Sequence, residues 1–362
     1  MSAGEGVMQG MRFPGRYVQG PGALARLGRE VAPFGRRAAC VVDRGVFDRL
    51  APTLSAAADG AFERFDLVRH GGECTLDEIG ALAEAARAAG AEVMVGVGGG
   101  KALDTAKAAA RRLGIACVVA PTIAASDAPC SALSVIYRAD GTVERDEFLP
   151  RNPDLVLVDT AVIAAAPSRF LAAGIGDALA TWYEAEACRR SGALNMFQVR
   201  GLPLAYQIAR SCRDAIFAFG EEALAENDRH EAGPALERVV EANILLSGIG
   251  FESGGVAAAH AIHHGLSELD DVHHCLHGEK VAIGVLAQLR LEGAPEAEFE
   301  EVRDFCRRVR LPTRLADLGI ADAGGEVLTI IARRACRPGE IVHNEPFPVT
   351  EAMVVEALSA LI

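Results

Sequence analysis

Six of the nine histidines in this sequence of 362 residues lie between positions 260 and 277. Neutral imidazole is the commonest metal ligand, so this concentration predicts one wall of a metal site. A single histidine on an apolar helix is usually a hydrogen-bonded packing residue, and we expect two or three of the six to be of that kind. The cluster by itself names neither the metal nor the reaction. Its members are His260, His263, His264, His273, His274 and His277.

A second candidate is the run GVGGGKALD at residues 96–104, which follows a predicted strand and opens a predicted helix. Glycines let the backbone approach a pyrophosphate, and a helix N-terminus supplies free N–H groups. The run departs from the Rossmann G-x-G-x-x-G pattern at Lys101, and from the P-loop at Val95 and Ala102. A tight turn that needs glycine only for its backbone angles is the alternative. Three consecutive glycines followed by Lys101 favour phosphate binding.

Three aspartates also lie at predicted strand ends, loops or helix starts, where their carboxylates could contact a ligand. Asp43 ends a predicted strand, where a carboxylate binds the ribose hydroxyls of NAD and repels a 2′-phosphate, although Arg44 beside it weakens the case against NADP. Asp127 lies in a loop of small residues before Pro129, either exposed to a ligand or closing an Asx-turn. Asp177, in the run GIGDALA, is either a ligand or a helix N-cap, and the spacing does not separate the two.

The first 160 residues alternate short β-branched runs with alanine-rich stretches, which indicates βαβ units and a parallel sheet. A D-G turn at Asp140 and Gly141 predicts an antiparallel hairpin of Leu133–Tyr137 with Val143–Phe148. The predicted buried strands span residues 38–43, 92–97, 115–120 and 155–159, and the predicted helices span residues 80–90 and 102–113.

After Asp159 helical periodicity dominates and strand signals vanish. The boundary falls within residues 161–167. We therefore predict two domains, an α/β dinucleotide-binding domain at residues 1–162 and an all-α metal-binding domain at residues 163–362, with the active site in the cleft between them.

Composition excludes several classes of protein. The formal net charge of −13 gives no electrostatic support to nucleic-acid binding. The opening MSAGEGVMQG has no basic segment before an apolar core, so we expect no signal peptide, and no apolar run is long enough to span a bilayer. Nine scattered cysteines without a C-x-x-C pair suit free thiols in a reducing cytoplasm.

Taken together, these motifs resemble the glycerol dehydrogenases of the metal-dependent (iron-containing) alcohol dehydrogenase superfamily. The resemblance runs almost end to end. It is carried by PGRYVQG (14–20), GVGGGKALDTAK (96–107), PTIAASDAPCSALSVIY (121–137), GIGDALATWYEA (174–185), AAAHAIHHGL (257–266), HGEKVAIG (277–284) and HNEPFP (343–348).

The resemblance implies that Asp177, His260 and His277 bind the metal, leaving open positions for water and substrate. The other four histidines of the cluster are then neighbours of the ligands or packing residues. The family pattern has Asn at the position of His264 and often aromatics at Cys275 and Leu276. These departures remove no ligand, but they alter the expected pocket shape.

The resemblance also implies a cofactor site. Asp43 would bind the adenosine ribose, Gly99, Gly100 and Lys101 would hold the pyrophosphate, and Asp127 would contact the substrate hydroxyls. Ala125 stands where the family often has Ser, so only its backbone is available. The residues expected to border the cofactor are Thr122, Ala125, Ser131, Leu133 and Tyr137.

The implied reaction is the reversible, NAD-dependent oxidation of glycerol to dihydroxyacetone with one Zn²⁺, or else Fe²⁺, per subunit. A cytoplasmic homo-oligomer, an octamer, is implied as well. Another small vicinal diol or hydroxyketone is an alternative substrate. A glycerol phosphate enzyme or a dehydroquinate-synthase-like cyclase would need a basic pocket, and Arg and Lys are absent around Asp127. A metal-binding module without catalysis would leave the glycine run and Asp43 unexplained.

Overall fold

The computed structural model describes residues 7–320 and 323–362 of the chain. Residues 1–6, which hold most of the segment for which no signal peptide is expected, lie outside this description. Within the described residues, no helix is both long and apolar enough to cross a membrane.

Six parallel strands form the main sheet, in the order β2-β9-β6-β5-β3-β4, and β7 and β8 form a separate antiparallel hairpin. The strands are β1 (Gln9–Gly10), β2 (Tyr17–Gly20), β3 (Arg37–Val42), β4 (Arg64–Arg69), β5 (Val93–Gly98), β6 (Ala116–Pro121), β7 (Leu133–Tyr137), β8 (Val143–Phe148), β9 (Leu155–Asp159) and β10 (Arg200–Gly201).

The four predicted buried strands are confirmed as β3, β5, β6 and β9, and the hairpin is confirmed as β7 and β8. The strands β2 and β4, which are the two edges of the sheet, were not predicted from the sequence. Both are only partly buried, and β4 has the sequence RFDLVR, so neither shows the continuous apolar run of a central strand.

Helices dominate the second half of the chain, as predicted. One detail is wrong, because the two residues of β10 pair in parallel with β1 beyond the point where strand signals were expected to vanish. The helices are α1 (Leu27–Val31), α2 (Phe47–Ala58), α3 (Leu76–Ala88), α4 (Gly100–Leu113), α5 (Thr160–Ala164), α6 (Ser168–Ser191), α7 (Pro203–Asp228), α8 (Pro234–Glu241), α9 (Ser247–Gly254), α10 (Ala258–Leu266), α11 (His277–Leu291), α12 (Glu296–Arg308), α13 (Gly325–Ala335) and α14 (Glu351–Ser359).

The sheet is buried on both faces, as parallel sheets are. Along β3, Cys40 and Val42 pack into a core shared with α1 and α2. Their neighbours Ala39 and Val41 point to the opposite face, into a core that continues through the helical half. This alternation couples the two halves of the molecule. The division between residues 1–162 and 163–362 stays a prediction; residue 162 lies within α5.

Candidate active site

The centre of the candidate site is one carboxylate and two imidazoles that come from three helices. Asp177 lies in α6 and His260 in α10, and His277 begins α11. Asp177 Oδ1 lies 3.0 Å from His277 Nε2 and 3.4 Å from His260 Nε2. One ligand atom from each residue, within 4.8 Å of the others, gives a donor set that fits a divalent metal with open coordination positions. We call these three residues the triad.

Asp177 is not a helix cap, because α6 begins at Ser168 and carries Asp177 well inside it. The glycines around it serve close packing. A Cβ at Gly174 would lie 1.9 Å from the Ala124 carbonyl oxygen, and a Cβ at Gly176 would lie 2.3 Å from that of Gly278. Backbone contacts this short admit only glycine. The structure thus removes one of the two sequence interpretations of Asp177.

Both histidines of the triad present Nε2 to Asp177 because their Nδ1 atoms have other partners. His260 Nδ1 lies 2.5 Å from Glu184 Oε2, and Glu184 is fully buried. His277 Nδ1 lies 3.1 Å from His263 Nε2. Partners of this kind fix the orientation of a ligating ring.

The remaining histidines of the cluster divide into two groups. His263 is inside, next to His277, and His264 Nδ1 lies 3.1 Å from Glu340 Oε2. His273 and His274 are exposed on the segment that leads into α11 and make no contact with the triad. The prediction that the other four are neighbours of the ligands or packing residues fits His263 and His264 but not His273 and His274, which lie on the surface.

The electrostatics of the triad favour a charged carboxylate. Burial by itself raises the pKa of Asp177, but the His277 and His260 rings outweigh it and hold this pKa well below its usual range. Burial by itself lowers the pKa of His260, whereas Glu184 and Asp177 outweigh burial and raise it well above its usual range. Burial, together with the neighbouring His277, lowers the pKa of His263. A concentration of negative charge therefore faces the two Nε2 atoms.

Asp127 adjoins the triad from the loop after β6. Its backbone N–H donates to Asp177 Oδ2 at 3.1 Å, and Ser247 donates to its carboxylate Oδ2 at 2.8 Å. The Ser247 hydroxyl is also 2.8 Å from Thr181 Oγ1. Burial and the nearby Asp177 carboxylate raise the pKa of Asp127 well above its usual range. The loop thus places a second carboxyl group beside the three candidate ligands.

The glycine run lies on the other side of the same loop. Gly98 has φ +152°, and a Cβ there would lie 2.5 Å from the Asp43 Cβ, so only glycine fits. Gly99 is the N-cap of α4, and Gly100 is its first residue, where a Cβ would lie 4.0 Å from the Ala128 Cβ. Thr122 N–H donates to the Gly98 carbonyl at 3.0 Å, which fastens the loop to the run. We call residues 96–101 the glycine turn.

Two charged residues predicted for the cofactor site lie at this end of the sheet. Asp43 follows β3, and its Oδ1 accepts the Gly45 N–H at 2.8 Å, so its other oxygen is not engaged there. Lys101 forms an ion pair with Glu73 at 2.6 Å and lies 4.9 Å from the centre of the Tyr137 ring. For Lys101 to reach a pyrophosphate, it has to release Glu73.

The residues predicted to border the cofactor all lie on the loop after β6 or on β7. Thr122 and Ser131 are buried, and Ser131 Oγ donates to the Ala128 carbonyl at 3.2 Å. Ala125 and Leu133 are partly exposed. Burial of Tyr137, helped by Asp104, raises the pKa of its hydroxyl. Their contact with a cofactor stays a prediction.

Three further residues near the site were not predicted from the sequence. Glu184 was detectable, since it lies seven residues after Asp177 and hence on the same face of a helix. Ser247 carried no signal, because nothing in the sequence relates α9 to the loop after β6. Lys107 is buried, forms an ion pair with Asp104 at 2.8 Å, and donates to the loop carbonyl of Ala128 at 2.9 Å and to that of Leu133.

The chain resembles known proteins over nearly its whole length. Residues 14–160 match the family model described as iron-containing alcohol dehydrogenase. The chain is 51% identical over 353 residues to the glycerol dehydrogenase of Thermotoga maritima, covering 96% of this chain and 95% of the relative.

Two solved structures superpose closely. A probable glycerol dehydrogenase from Sinorhizobium meliloti 1021 is 44% identical, with a TM-score of 0.92 and 98% of each chain covered. The glycerol dehydrogenase from Schizosaccharomyces pombe is 37% identical, with a TM-score of 0.94, and the match covers 98% of this chain and 90% of that one. With identity this high over nearly the whole length, the chain belongs to the iron-containing alcohol dehydrogenase family and is an oxidoreductase.

Proposed function

We propose that this enzyme oxidises glycerol at its secondary hydroxyl to dihydroxyacetone, reversibly, with NAD⁺ accepting the hydride. The observation that carries the proposal is the position of Asp127. Its loop joins the glycine turn at Gly98 to the triad at Asp177, so a nucleotide on the turn and a polyol at the triad would meet beside one carboxylate. The names of the relatives point to glycerol as the polyol.

The triad of Asp177, His260 and His277 would hold the metal. A divalent ion there supplies Lewis acidity, which lowers the pKa of a bound hydroxyl and polarises a carbonyl in the reverse direction. Two nitrogens and one oxygen suit Zn²⁺, with Fe²⁺ as the alternative. The protein's own part is to orient the rings through Glu184 and His263 before any ligand arrives.

Asp127 would select the polyol. Ser247 donates to one of its carboxylate oxygens, and we propose that the carboxylate also accepts a hydrogen bond from a glycerol hydroxyl. Burial and Asp177 raise the pKa of Asp127, but a cation held at the triad would favour its charged form. A bond to a charged acceptor stabilises a complex by about 1.5–3 kcal/mol. A simple alcohol lacks this donor, so Asp127 would distinguish a diol from it.

The glycine turn would bind the cofactor. At the N-terminus of α4 a Cβ at Gly99 would lie 3.3 Å from Ile123, and one at Gly100 would lie 4.0 Å from Ala128, so the bare backbone can approach a pyrophosphate that the free N–H groups attract. Lys101 would exchange Glu73 for phosphate, and Asp43 would accept hydrogen bonds from the adenosine ribose and disfavour NADP. The predicted cofactor neighbours are on the loop and strand that flank the turn.

We also propose a cell compartment, an assembly and a partner for the enzyme. All nine cysteines are free thiols, which favours a reducing cytoplasm. The resemblance to glycerol dehydrogenases supports a homo-oligomer, an octamer. The partner we propose is a small polyol, and the net charge of −13 argues against nucleic acid.

A spectrophotometric assay tests the activity. We expect NADH absorbance to rise when the protein stripped of metal is given glycerol, NAD⁺ and Zn²⁺, and to stay flat without added metal. Glycerol 3-phosphate should not replace glycerol, because no cation donates to the Asp127 carboxylate among the described hydrogen bonds. Turnover of the phosphate ester but not of glycerol would contradict the proposal.

A further inference from the structure

The ring of His260 is held from behind by a carboxylate that lies wholly inside the protein. Glu184 Oε2 lies 2.5 Å from His260 Nδ1, while Glu184 Oε1 accepts the backbone N–H of His260 at 2.8 Å and of Ala257 at 2.9 Å. Glu184 is fully buried. One side chain therefore binds both the ring and the backbone of the same residue.

Two further side chains, of Glu345 and Gln288, accept hydrogen bonds from the backbone at the start of α10. Glu345 Oε1 accepts the Ala258 N–H at 3.1 Å, and Gln288 Oε1 accepts the Ala259 N–H at 3.0 Å. With Glu184 on the amides of Ala257 and His260, four successive amides at this helix N-terminus have side-chain acceptors. Such amides have no partner within the helix, so the side chains replace water there. The backbone that carries His260 is therefore held by side-chain hydrogen bonds that need no metal.

A carboxylate can only accept a hydrogen bond from Nδ1–H. When a metal binds, the ring that Glu184 holds would keep its proton on Nδ1, which leaves Nε2, 3.4 Å from Asp177, to bind the ion. Asp177 and Glu184 are both on α6, so one helix supplies a candidate ligand and the group that orients another.

We propose that Glu184 is a positioning residue for the metal site, which selects the Nδ1–H tautomer of His260 and aims its Nε2 at the ion. This inference rests on the proposed function, because it takes His260 as a ligand. Groups that orient ligating histidines typically change metal affinity 10- to 100-fold when altered.

The decisive variant is Glu184→Gln. An amide keeps the volume and can still accept from the two backbone N–H groups through its oxygen. Its NH₂ group then faces Nδ1 as a donor, which forces the proton of His260 onto Nε2, the atom needed by the metal. We expect the Kd for Zn²⁺ of the metal-free protein to rise roughly 10- to 100-fold. We also expect the visible spectrum of the Co²⁺-loaded protein to change, while far-UV circular dichroism stays the same.

Glu345→Gln is the matched control, since Glu345 binds an α10 amide but not the His260 ring. Its Kd for Zn²⁺ should match that of the unaltered protein. An equal loss of affinity in both variants would show that Glu184 acts only as a helix cap and would overturn the proposal. If Glu184→Gln does not fold, Glu184→Asp serves instead, because the shorter chain withdraws the carboxylate from Nδ1 without removing its charge.

His260→Ala separates this inference from the proposed function. Unchanged Zn²⁺ affinity in Glu184→Gln with lost affinity in His260→Ala would overturn the positioning role and leave the metal site standing. Unchanged affinity in both variants would overturn the metal site itself.

Discussion

The glycine turn and the triad face the same loop, yet they use different parts of the chain to bind. The turn offers bare backbone, and at Gly100 a Cβ would fit without a clash, 4.0 Å from its nearest neighbour, the Ala128 Cβ. The triad offers charged side chains whose orientations are fixed by buried partners such as Glu184. A cofactor that enters and leaves in each turnover suits the open surface, and a resident ion suits the rigid one. Mutations in the glycine turn should therefore affect cofactor binding, whereas mutations at the triad should affect bound metal and stability.

The largest effect is expected from removing a triad histidine. His260→Ala or His277→Ala should abolish bound metal and lower kcat/KM about a thousandfold or more, because the Lewis acid contributes several kcal/mol to transition-state stability. Elemental analysis and the NADH assay measure the two effects. His273→Ala is the control, since its exposed ring lies outside the site. Loss of metal in His273→Ala but not in His277→Ala would mean that His273, and not His277, is the ligand.

Next in size is the effect of adding a methyl group beside the triad. At Gly278 a Cβ would lie 1.7 Å from the Ala173 carbonyl oxygen, so Gly278→Ala has to push α11 away from α6. We expect a loss of about 3 kcal/mol in the free energy of unfolding, measured in urea on the metal-free protein. Gly100→Ala should leave stability nearly unchanged and raise KM for NAD⁺ instead. A loss of stability in Gly100→Ala, together with unchanged stability in Gly278→Ala, would contradict this contrast between the two regions.

Asp127 lies between the regions, and its effect should depend on the substrate. Asp127→Asn should lower kcat/KM for glycerol relative to 2-propanol by roughly ten- to a hundredfold, the equivalent of about 1.5–3 kcal/mol for a bond to a charged acceptor. Metal content should not change. Equal losses on both substrates would mean that Asp127 shapes the loop and does not recognise the second hydroxyl.

The smallest effect is expected at the outer end of the cofactor site. Asp43→Gly removes the carboxylate that would repel a 2′-phosphate and should shift the ratio of kcat/KM for NAD⁺ over NADP⁺ about tenfold toward NADP⁺. Stability should hold, because the only hydrogen bond described for this carboxylate goes to Gly45. If the unaltered enzyme uses both cofactors equally, Asp43 has a different role.

How much the sequence predicts also differs between the regions. The central strands and the glycine turn are local patterns, and the structure has them within a residue or two of the predicted bounds. Edge strands such as Arg64–Arg69 lack the apolar run because one side of each has no neighbouring strand. By sequence Asp177 could be a ligand or a cap, and the start of α6 at Ser168 distinguishes them.

Partners from distant parts of the chain are the least predictable. Ser247 meets Asp127 across 120 positions, and Asn243 Nδ2 donates to the Ala124 carbonyl at 3.0 Å across 119. Neither contact follows from periodicity or from a motif. Side chains that hold a site in place depend on how helices pack, whereas the groups that perform chemistry are limited to a few residue types and are easier to find.

The contact between α6 and the loop after β6 joins the two halves of the molecule at the candidate site. Asp127 N–H donates to Asp177, and the helix at Gly174 touches the Ala124 carbonyl with no room for a side chain. Pulling the halves apart at this point would leave a buried carboxylate without one of its donors. We therefore expect α6 and the loop after β6 to stay joined at this contact, with the hydrogen bond from Asp127 to Asp177 intact, when the cofactor enters and leaves.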